Sequence, residues 1–177
     1  NTLLAHDVGS GKTFIMISAG MELKRMRLSE KNLYVVPNNL VGQWKKMFTQ
    51  LYPKAKILVV APKDFTPSKR YATFIKMRDN DYDGIIIASS CFDMIPLSKE
   101  YYKEKLKEKK ALLEALSEQV TKNTTGVKNE KKKIDEELLE LARTVLLDQS
   151  ESIAFDELGV TRLFVDEAHS YKNLNVQ

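Results

Sequence analysis

The sequence lacks the features of a secreted or a membrane-spanning protein. Cys91 is its only cysteine among 177 residues, so no disulfide can form within one chain, and we expect a reducing, cytoplasmic setting. No signal peptide is visible, and no apolar run approaches the roughly 18 residues that a membrane-spanning helix needs. The chain is 43% hydrophobic and 29% charged, which is typical of a soluble globular protein.

A strong excess of one charge is also missing. The formal net charge is +4, so the chain is only mildly basic. This balance permits nucleic-acid binding but does not require it, because many enzymes with neutral substrates have similar charge. The length suits one ordinary domain.

Short apolar runs alternate with helical patterns along most of the chain. Buried strands are predicted at 2–5, 33–36, 57–60, 84–88 and 163–165. Helices are predicted at 13–26, 40–51 and 71–77, where apolar residues recur three and four apart. This alternation favours an α/β fold with a parallel sheet that helices cover on both sides.

The segment 98–149 departs from this alternation. It is rich in Lys, Glu and Leu, and two runs with helical periodicity flank the turn-forming residues 123–126. This pattern predicts an inserted antiparallel coiled-coil hairpin. The hairpin is either a solvated structural insertion or an arm that docks on a partner, with the lysine-rich stretches 103–110 and 128–133 against DNA. The glutamates mixed through both stretches favour the first interpretation.

A glycine-rich segment between the first predicted strand and helix has the composition of a phosphate-binding loop. Its residues are Gly9, Ser10, Gly11, Lys12 and Thr13. The glycines let the backbone curl around a phosphate, Lys12 can reach the β- and γ-phosphates of ATP, and the Thr13 hydroxyl can coordinate Mg²⁺. His6 stands where the strict pattern has its first glycine. It either neighbours the phosphates or is a plain polar loop residue.

An acidic segment, Asp166-Glu167-Ala168-His169, follows the last predicted strand. The carboxyl ends of strands are where open α/β sheets bind ligands. Asp166 is suited to hold Mg²⁺, and Glu167 to orient and deprotonate the attacking water, since phosphoryl transfer depends on positioning and charge neutralisation. Trp44 and Phe48 lie four apart on a predicted helix, which favours a core position for Trp44 over base stacking. Cys91 is expected to be buried and without a catalytic role.

Four segments together resemble the Swi/Snf branch of the superfamily II helicases and translocases. Residues 163–173 resemble motif II, the DEAH-box segment, and residues 5–13 resemble the phosphate loop, with His6-Asp7 in place of an acidic pair. Residues 35–40 followed by Gln43-Trp44 are similar to motif Ia, and residues 85–90 are similar to motif Ib. More narrowly, the chain resembles helicase–methylase proteins of bacterial mobile elements.

The resemblance implies a RecA-like ATP-binding lobe formed by residues 1–97 and 150–177, with 98–149 as the inserted hairpin. It implies ATP and Mg²⁺ as cofactors, Glu167 and Lys12 as catalytic residues, and His169 as a nucleotide sensor. It also implies contact with the backbone of duplex DNA, which suits side chains that bind phosphate without reading bases. The residues are Pro37, Asn38, Asn39, Ser89 and Ser90.

The phosphate loop starts almost at the first residue and the chain stops just after the acidic segment, so we expect a piece of a longer protein, truncated at both ends. The motors that the chain resembles close ATP between two lobes. A second RecA-like lobe would supply an arginine finger, and a methylase domain is a further expected neighbour. Two other functions stay open: a P-loop ATPase that remodels a protein partner, and an inactive lobe that serves as a scaffold through its hairpin. Motifs Ia and Ib argue against the protein remodeller, and the scaffold predicts no ATPase activity in the intact protein.

Overall fold

A computed structural model describes residues 2–7, 9–119, 132, 134, 136, 139 and 153–171. The elements, in chain order, are α1 (Lys12–Arg25), β1 (Asn32–Val36), α2 (Val41–Leu51), β2 (Ile57–Val60), α3 (Pro67–Asp79), β3 (Gly84–Ala88), α4 (Ser89–Phe92), α5 (Lys99–Gln119) and β4 (Arg162–Val165). Short 3₁₀ turns occupy Asn38–Leu40, Pro62–Asp64, Phe155–Leu158 and Ala168–Tyr171.

The four strands form one parallel sheet in the order β2-β3-β1-β4. β1 is the central strand next to β4, and its residue Tyr34 pairs with Phe164. Both β1 and β3 are buried along their whole length, as their unbroken apolar sequences predict. All four strands point the same way, so their carboxyl ends lie along one edge of the sheet, here called the carboxyl edge.

Helices cover both faces of the sheet. α1 and α2 pack on the face that presents Tyr34, because Gly20 of α1 and Phe48 of α2 both approach the Tyr34 ring. Successive side chains of a strand alternate between faces. Lys31, three residues before Tyr34 in the chain, accordingly reaches the other side, where its ammonium meets the carbonyl oxygens of Met77 in α3 and Leu158. The α/β class with a parallel sheet is therefore confirmed.

The direction of α1 fixes where its first residues lie. Gly20 lies beside Tyr34 and Phe164, in the middle of the sheet. Lys24, one turn further on, binds Asp81 and Asp83 at 2.8 and 3.3 Å, just before β3 begins. α1 therefore runs antiparallel to the strands, and Lys12 lies about 12 Å from Gly20 toward the carboxyl edge, at about 1.5 Å per residue.

The structure corrects the sequence prediction in three places. Residues 2–5 are not a buried strand: they are irregular, and Leu3 is 79% exposed. Among the described residues no strand pairs with the outer edge of β4, and Leu163 there is 46% exposed, so β4 is not buried on both faces. A four-residue segment with no strand to pair with has no ladder to join. α3 begins at Pro67, four residues earlier than predicted, because proline is well suited to the first position of a helix.

The chain divides into two compact units, residues 1–95 with 153–177, and residues 96–152. In the second unit, α5 supplies one long helix, as predicted for the first arm of the hairpin. Residues 132, 134, 136 and 139 are helical, and Ile134 is buried. The predicted turn at 123–126 and most of the second arm lie outside the described residues, so the hairpin stays a prediction. In the part of the chain that is described, no helix is long and apolar enough to cross a membrane.

Candidate functional site

The glycine-rich loop has the backbone shape that its two glycines allow. Gly9 and Gly11 have φ angles of 83° and 82°, a left-handed conformation that other residues adopt at a cost. A Cβ atom built on either glycine would meet nothing within 4 Å, so the loop is open beside its backbone. No side chain caps the start of α1, which leaves the first N–H groups of the helix available to an anion.

Lys12 folds back onto the loop that precedes it. Its ammonium donates to the carbonyl oxygens of His6 and Asp7 at 2.8 and 2.9 Å. The Ser10 hydroxyl donates to the same Asp7 carbonyl at 2.7 Å. Both ligands of the lysine are neutral carbonyls in an exposed loop, so a phosphate could replace them with a stronger, charge-assisted bond.

The acidic segment begins where β4 ends. The backbone N–H of Asp166 donates to the Val35 carbonyl at 2.9 Å, which continues the β1–β4 pairing by one residue. Glu167 has a φ angle of 54°, in the left-handed region that non-glycine residues rarely occupy. Strained residues of this kind cluster at functional sites. This φ angle turns the chain sharply at the predicted catalytic carboxylate.

His169 contacts the predicted catalytic base directly. Its Nδ1 atom lies 3.0 Å from Oε2 of Glu167, and both side chains are exposed. An ion pair forms here only when the imidazole is protonated, and solvent would make it weak. The structure thus places Glu167 and His169 in contact, and both are site residues that the sequence analysis predicts.

Trp44 has a contact that the sequence did not predict. Its side chain is 1% exposed, so the expected core position is confirmed. Its indole N–H also donates to Oδ2 of Asp166 at 3.2 Å. The bond joins residues 122 positions apart in sequence. The sequence signal for Trp44 was a helical apolar spacing, which says nothing about a polar partner at the far end of another strand.

The loop and the acidic segment lie at the same edge of the sheet. Asp166 follows Phe164 by two residues, toward the carboxyl edge, and α1 presents Lys12 and Thr13 in the same direction from Gly20. Within the described residues, no hydrogen bond or ion pair joins the two segments, since Lys12 is held by its own loop. The arrangement leaves room for a ligand to bridge them.

The predicted nucleic-acid residues form a second cluster at this edge. Oδ1 of Asn38, after β1, accepts from the Ser90 hydroxyl at 3.1 Å, from the Ser90 backbone N–H at 3.3 Å and from the Ser89 hydroxyl at 3.4 Å. Asn39 is exposed beside them, and Pro37 is half-buried. The ends of neighbouring strands thus bring together polar groups that are 51 and 52 residues apart. Such groups are suited to bind a phosphate backbone.

The donor atoms suit a magnesium ion that is shared with a nucleotide. Mg²⁺ prefers oxygen ligands and is usually held by one or two carboxylates together with substrate phosphates. The Thr13 hydroxyl and the Asp166 carboxylate are such donors. Across the described ranges, no group of three or more His, Cys, Asp or Glu side chains could hold a metal unaided. Cys91 is buried, and burial raises the pKa of its thiol, which agrees with a structural role.

A parallel sheet with a glycine loop and an acidic turn at its carboxyl edge defines an α/β protein compatible with the RecA-like class. A family model described as "Probable helicase domain" matches residues 1–177, and the chain belongs to this family.

One curated relative is also described as a helicase. The chain is 30% identical over 84 residues to the ATP-dependent helicase fft1 of Schizosaccharomyces pombe. The match covers 48% of this chain and 9% of that protein, so the chain spans only a small part of the relative's length. No solved structure matches the chain.

Proposed function

We propose that the chain is the ATP-binding lobe of a superfamily II motor of the Swi/Snf type, which couples ATP hydrolysis to movement along duplex DNA. The observation that carries the proposal is the position of the loop, the acidic turn and the Asn38–Ser90 cluster at one edge of a parallel sheet. Ligands of open α/β sheets bind at this edge. Its family and the fft1 relative support the helicase part of the proposal.

In this proposal, the residues at the carboxyl edge have different roles. The first N–H groups of α1 and the Gly9–Gly11 backbone cradle the phosphates of ATP. Lys12 leaves the carbonyls of His6 and Asp7 to bind the β- and γ-phosphates. Thr13 and Asp166 hold Mg²⁺, which neutralises charge on the phosphates when it is bound. Glu167 accepts the proton of the attacking water. His169 lies 3.0 Å from the Glu167 carboxylate and senses the nucleotide.

The DNA contacts use the second cluster. The side chains after β1 and β3 bind phosphate groups, so they hold DNA without regard to its sequence. Motors of the family that the chain resembles enclose ATP between two lobes. We therefore expect the 177-residue chain alone to bind ATP weakly and to hydrolyse it slowly. A second lobe, and a methylase domain as in mobile-element helicase–methylase proteins, belong to the same proposal, as does the inserted hairpin at 98–149.

The test compares ATP binding and ATP turnover, with and without duplex DNA, in the protein that carries this chain. Lys12→Ala should weaken ATP binding, and Glu167→Gln should abolish hydrolysis while ATP binding survives. Matched controls are Lys76→Ala on α3 and Glu30→Gln before β1, both exposed, which should change neither property. Unchanged turnover in Glu167→Gln would remove this carboxylate from the mechanism.

The same measurements separate the other functions. Turnover that a protein partner stimulates and DNA does not would indicate a protein remodeller. Absence of ATPase activity in the complete protein would indicate a scaffold. Rapid DNA-stimulated turnover by the 177-residue chain alone would contradict the need for a second lobe.

A further inference from the structure

We infer that Trp44 is a positioning residue for the metal-binding carboxylate of Asp166. The inference rests on the proposed function, in which Asp166 holds Mg²⁺, and assigns to a core residue of α2 a part in that site. It begins from the single bond between the indole N–H and Oδ2 of Asp166, 3.2 Å long.

The indole can hold this place firmly. Trp44 is 1% exposed, and its ring packs against Tyr34 with centroids 5.7 Å apart. Phe48, on the next turn of α2, also packs against Tyr34 and is fully buried. The closely packed interior permits little movement of these rings. The N–H direction is therefore fixed by the core.

The bond leaves a defined part of the carboxylate free. Indole nitrogen is a donor only, so it can hold an acceptor but cannot compete for the metal. The other oxygen, Oδ1 of Asp166, accepts from the backbone N–H of Glu167 at 3.1 Å. Each carboxylate oxygen has further lone pairs. With both oxygens tethered, the plane of the carboxylate is set before any metal arrives, which is how hydrogen bonds to a ligating carboxylate raise metal affinity.

A purely structural explanation of the bond makes a different prediction. A buried tryptophan usually finds a partner for its N–H group, so the bond could serve stability alone. Loss of the N–H would then lower stability and leave the Mg²⁺ requirement unchanged. If Trp44 positions Asp166, the Mg²⁺ requirement must change.

The first experiment measures ADP binding by calorimetry at a series of Mg²⁺ concentrations. Trp44→Phe keeps an aromatic ring and removes the N–H group. We expect the Mg²⁺ concentration for half-maximal ADP binding to rise about tenfold, the lower end of the loss seen when hydrogen bonds to metal ligands are removed. The matched control is Tyr34→Phe, in the same aromatic cluster. It removes a hydroxyl that has no partner among the described residues and should leave the Mg²⁺ requirement unchanged.

The second experiment needs neither nucleotide nor metal. Trp44 is the only tryptophan of the chain, so its fluorescence reports on the surroundings of Asp166. Asp166→Asn removes the charge that the indole faces and should shift the emission. Glu167→Gln, whose side chain contacts His169 instead, should leave the emission unchanged.

The outcomes separate the inference from the proposed function. Equal Mg²⁺ requirements in Trp44→Phe and Tyr34→Phe overturn the role of Trp44 while the proposed function stands. Unchanged emission in Asp166→Asn also overturns it, because the contact would then be absent in solution, and this holds even if Trp44→Phe fails to fold. If the unsubstituted protein that carries this chain binds no ADP at any Mg²⁺ concentration, the proposed function falls, and the inference falls with it.

Discussion

Gly20 lies where α1 closely approaches the rings of Tyr34 and Phe164, and replacing it should show how tightly this contact is packed. A Cβ at this position would collide with the Tyr34 hydroxyl, and would lie 3.0 Å from Cζ of Tyr34 and 3.2 Å from Cε2 of Phe164. Alanine is a better helix former than glycine by about 1 kcal/mol. Overpacking a close-packed core costs about 1–3 kcal/mol. Subtracting the helix gain from the packing cost, we expect Gly20→Ala to destabilise the fold by up to about 2 kcal/mol.

The collision can be relieved in part by changing its partner. The Tyr34 hydroxyl is buried and has no hydrogen-bond partner among the described residues, and burial raises the pKa of this phenol. An unpaired buried hydroxyl costs about 1–3 kcal/mol, so Tyr34→Phe alone should be neutral or stabilising. In the double variant the worst contact is gone while the contacts to Cζ and Phe164 remain. We expect a favourable coupling of about 1–2 kcal/mol between the two substitutions.

The assay is urea denaturation of the four proteins in the cycle, compared at their midpoints. The matched control is Gly42→Ala in α2, where a Cβ would meet nothing within 4 Å and alanine should stabilise the fold by about 1 kcal/mol. If Gly20→Ala stabilises the fold as Gly42→Ala does, α1 is not held against Tyr34 as described. Additive effects in the cycle would show that the hydroxyl is not the obstacle.

Three further changes test other parts of the structure. The Lys31 ammonium donates to the carbonyl oxygens of Met77, Arg78 and Leu158 at 2.6, 2.8 and 3.1 Å. Lys31→Met leaves these buried carbonyls without their donor, so it should destabilise the fold by about 2–4 kcal/mol in urea titrations. The control Lys76→Met, on the exposed side of α3, should have little effect. Burial lowers the pKa of Lys31 below its usual 10.5, although the charges of Asp81 and Asp79 oppose this shift. Between the folded pKa and 10.5, the unfolded chain binds more protons than the folded chain, so stability rises with pH in this range. The stability advantage over Lys31→Met should therefore grow as the pH rises toward 10.5. Asn38→Asp keeps an acceptor for Ser90 but adds a negative charge, so it should weaken duplex DNA binding several-fold in a titration at low salt, about 1 kcal/mol. The control Asn80→Asp, at the opposite edge of the sheet, should not weaken binding. Equal losses in both variants would argue against a DNA contact at Asn38.

The sequence predicted the elements better than their arrangement. β2 and β3 have the predicted bounds, and β1 and β4 begin one residue earlier, because short apolar runs between polar or turn-forming residues leave few alternatives. The strand order was not predicted, since local patterns do not specify which strands pair. The predicted strand at 2–5 was wrong for the same reason: a short, mostly apolar run looks like a strand whether or not a partner strand is present.

The contacts of the site could be predicted only where neighbours in sequence are neighbours in space. The loop around Gly9 and Gly11 has its expected shape because the positive φ angles are a local property. The Asn38–Ser90 and Trp44–Asp166 bonds cross 52 and 122 residues, and each depends on the order of strands in the sheet. The roles of these residues stay predictions, whereas their positions at one edge are now a structural fact.

A continuous piece of backbone joins Asn38 to Trp44, whose indole N–H donates to Asp166. The 3₁₀ turn Asn38–Leu40 leads directly into α2, and Trp44 lies on the first turn of that helix. Trp44 packs in the core, so the helix that follows the turn is held in place at its first turn. Under the proposed function, the seven residues from Asn38 to Trp44 connect the turn that contacts DNA with the tryptophan that holds the metal-binding carboxylate.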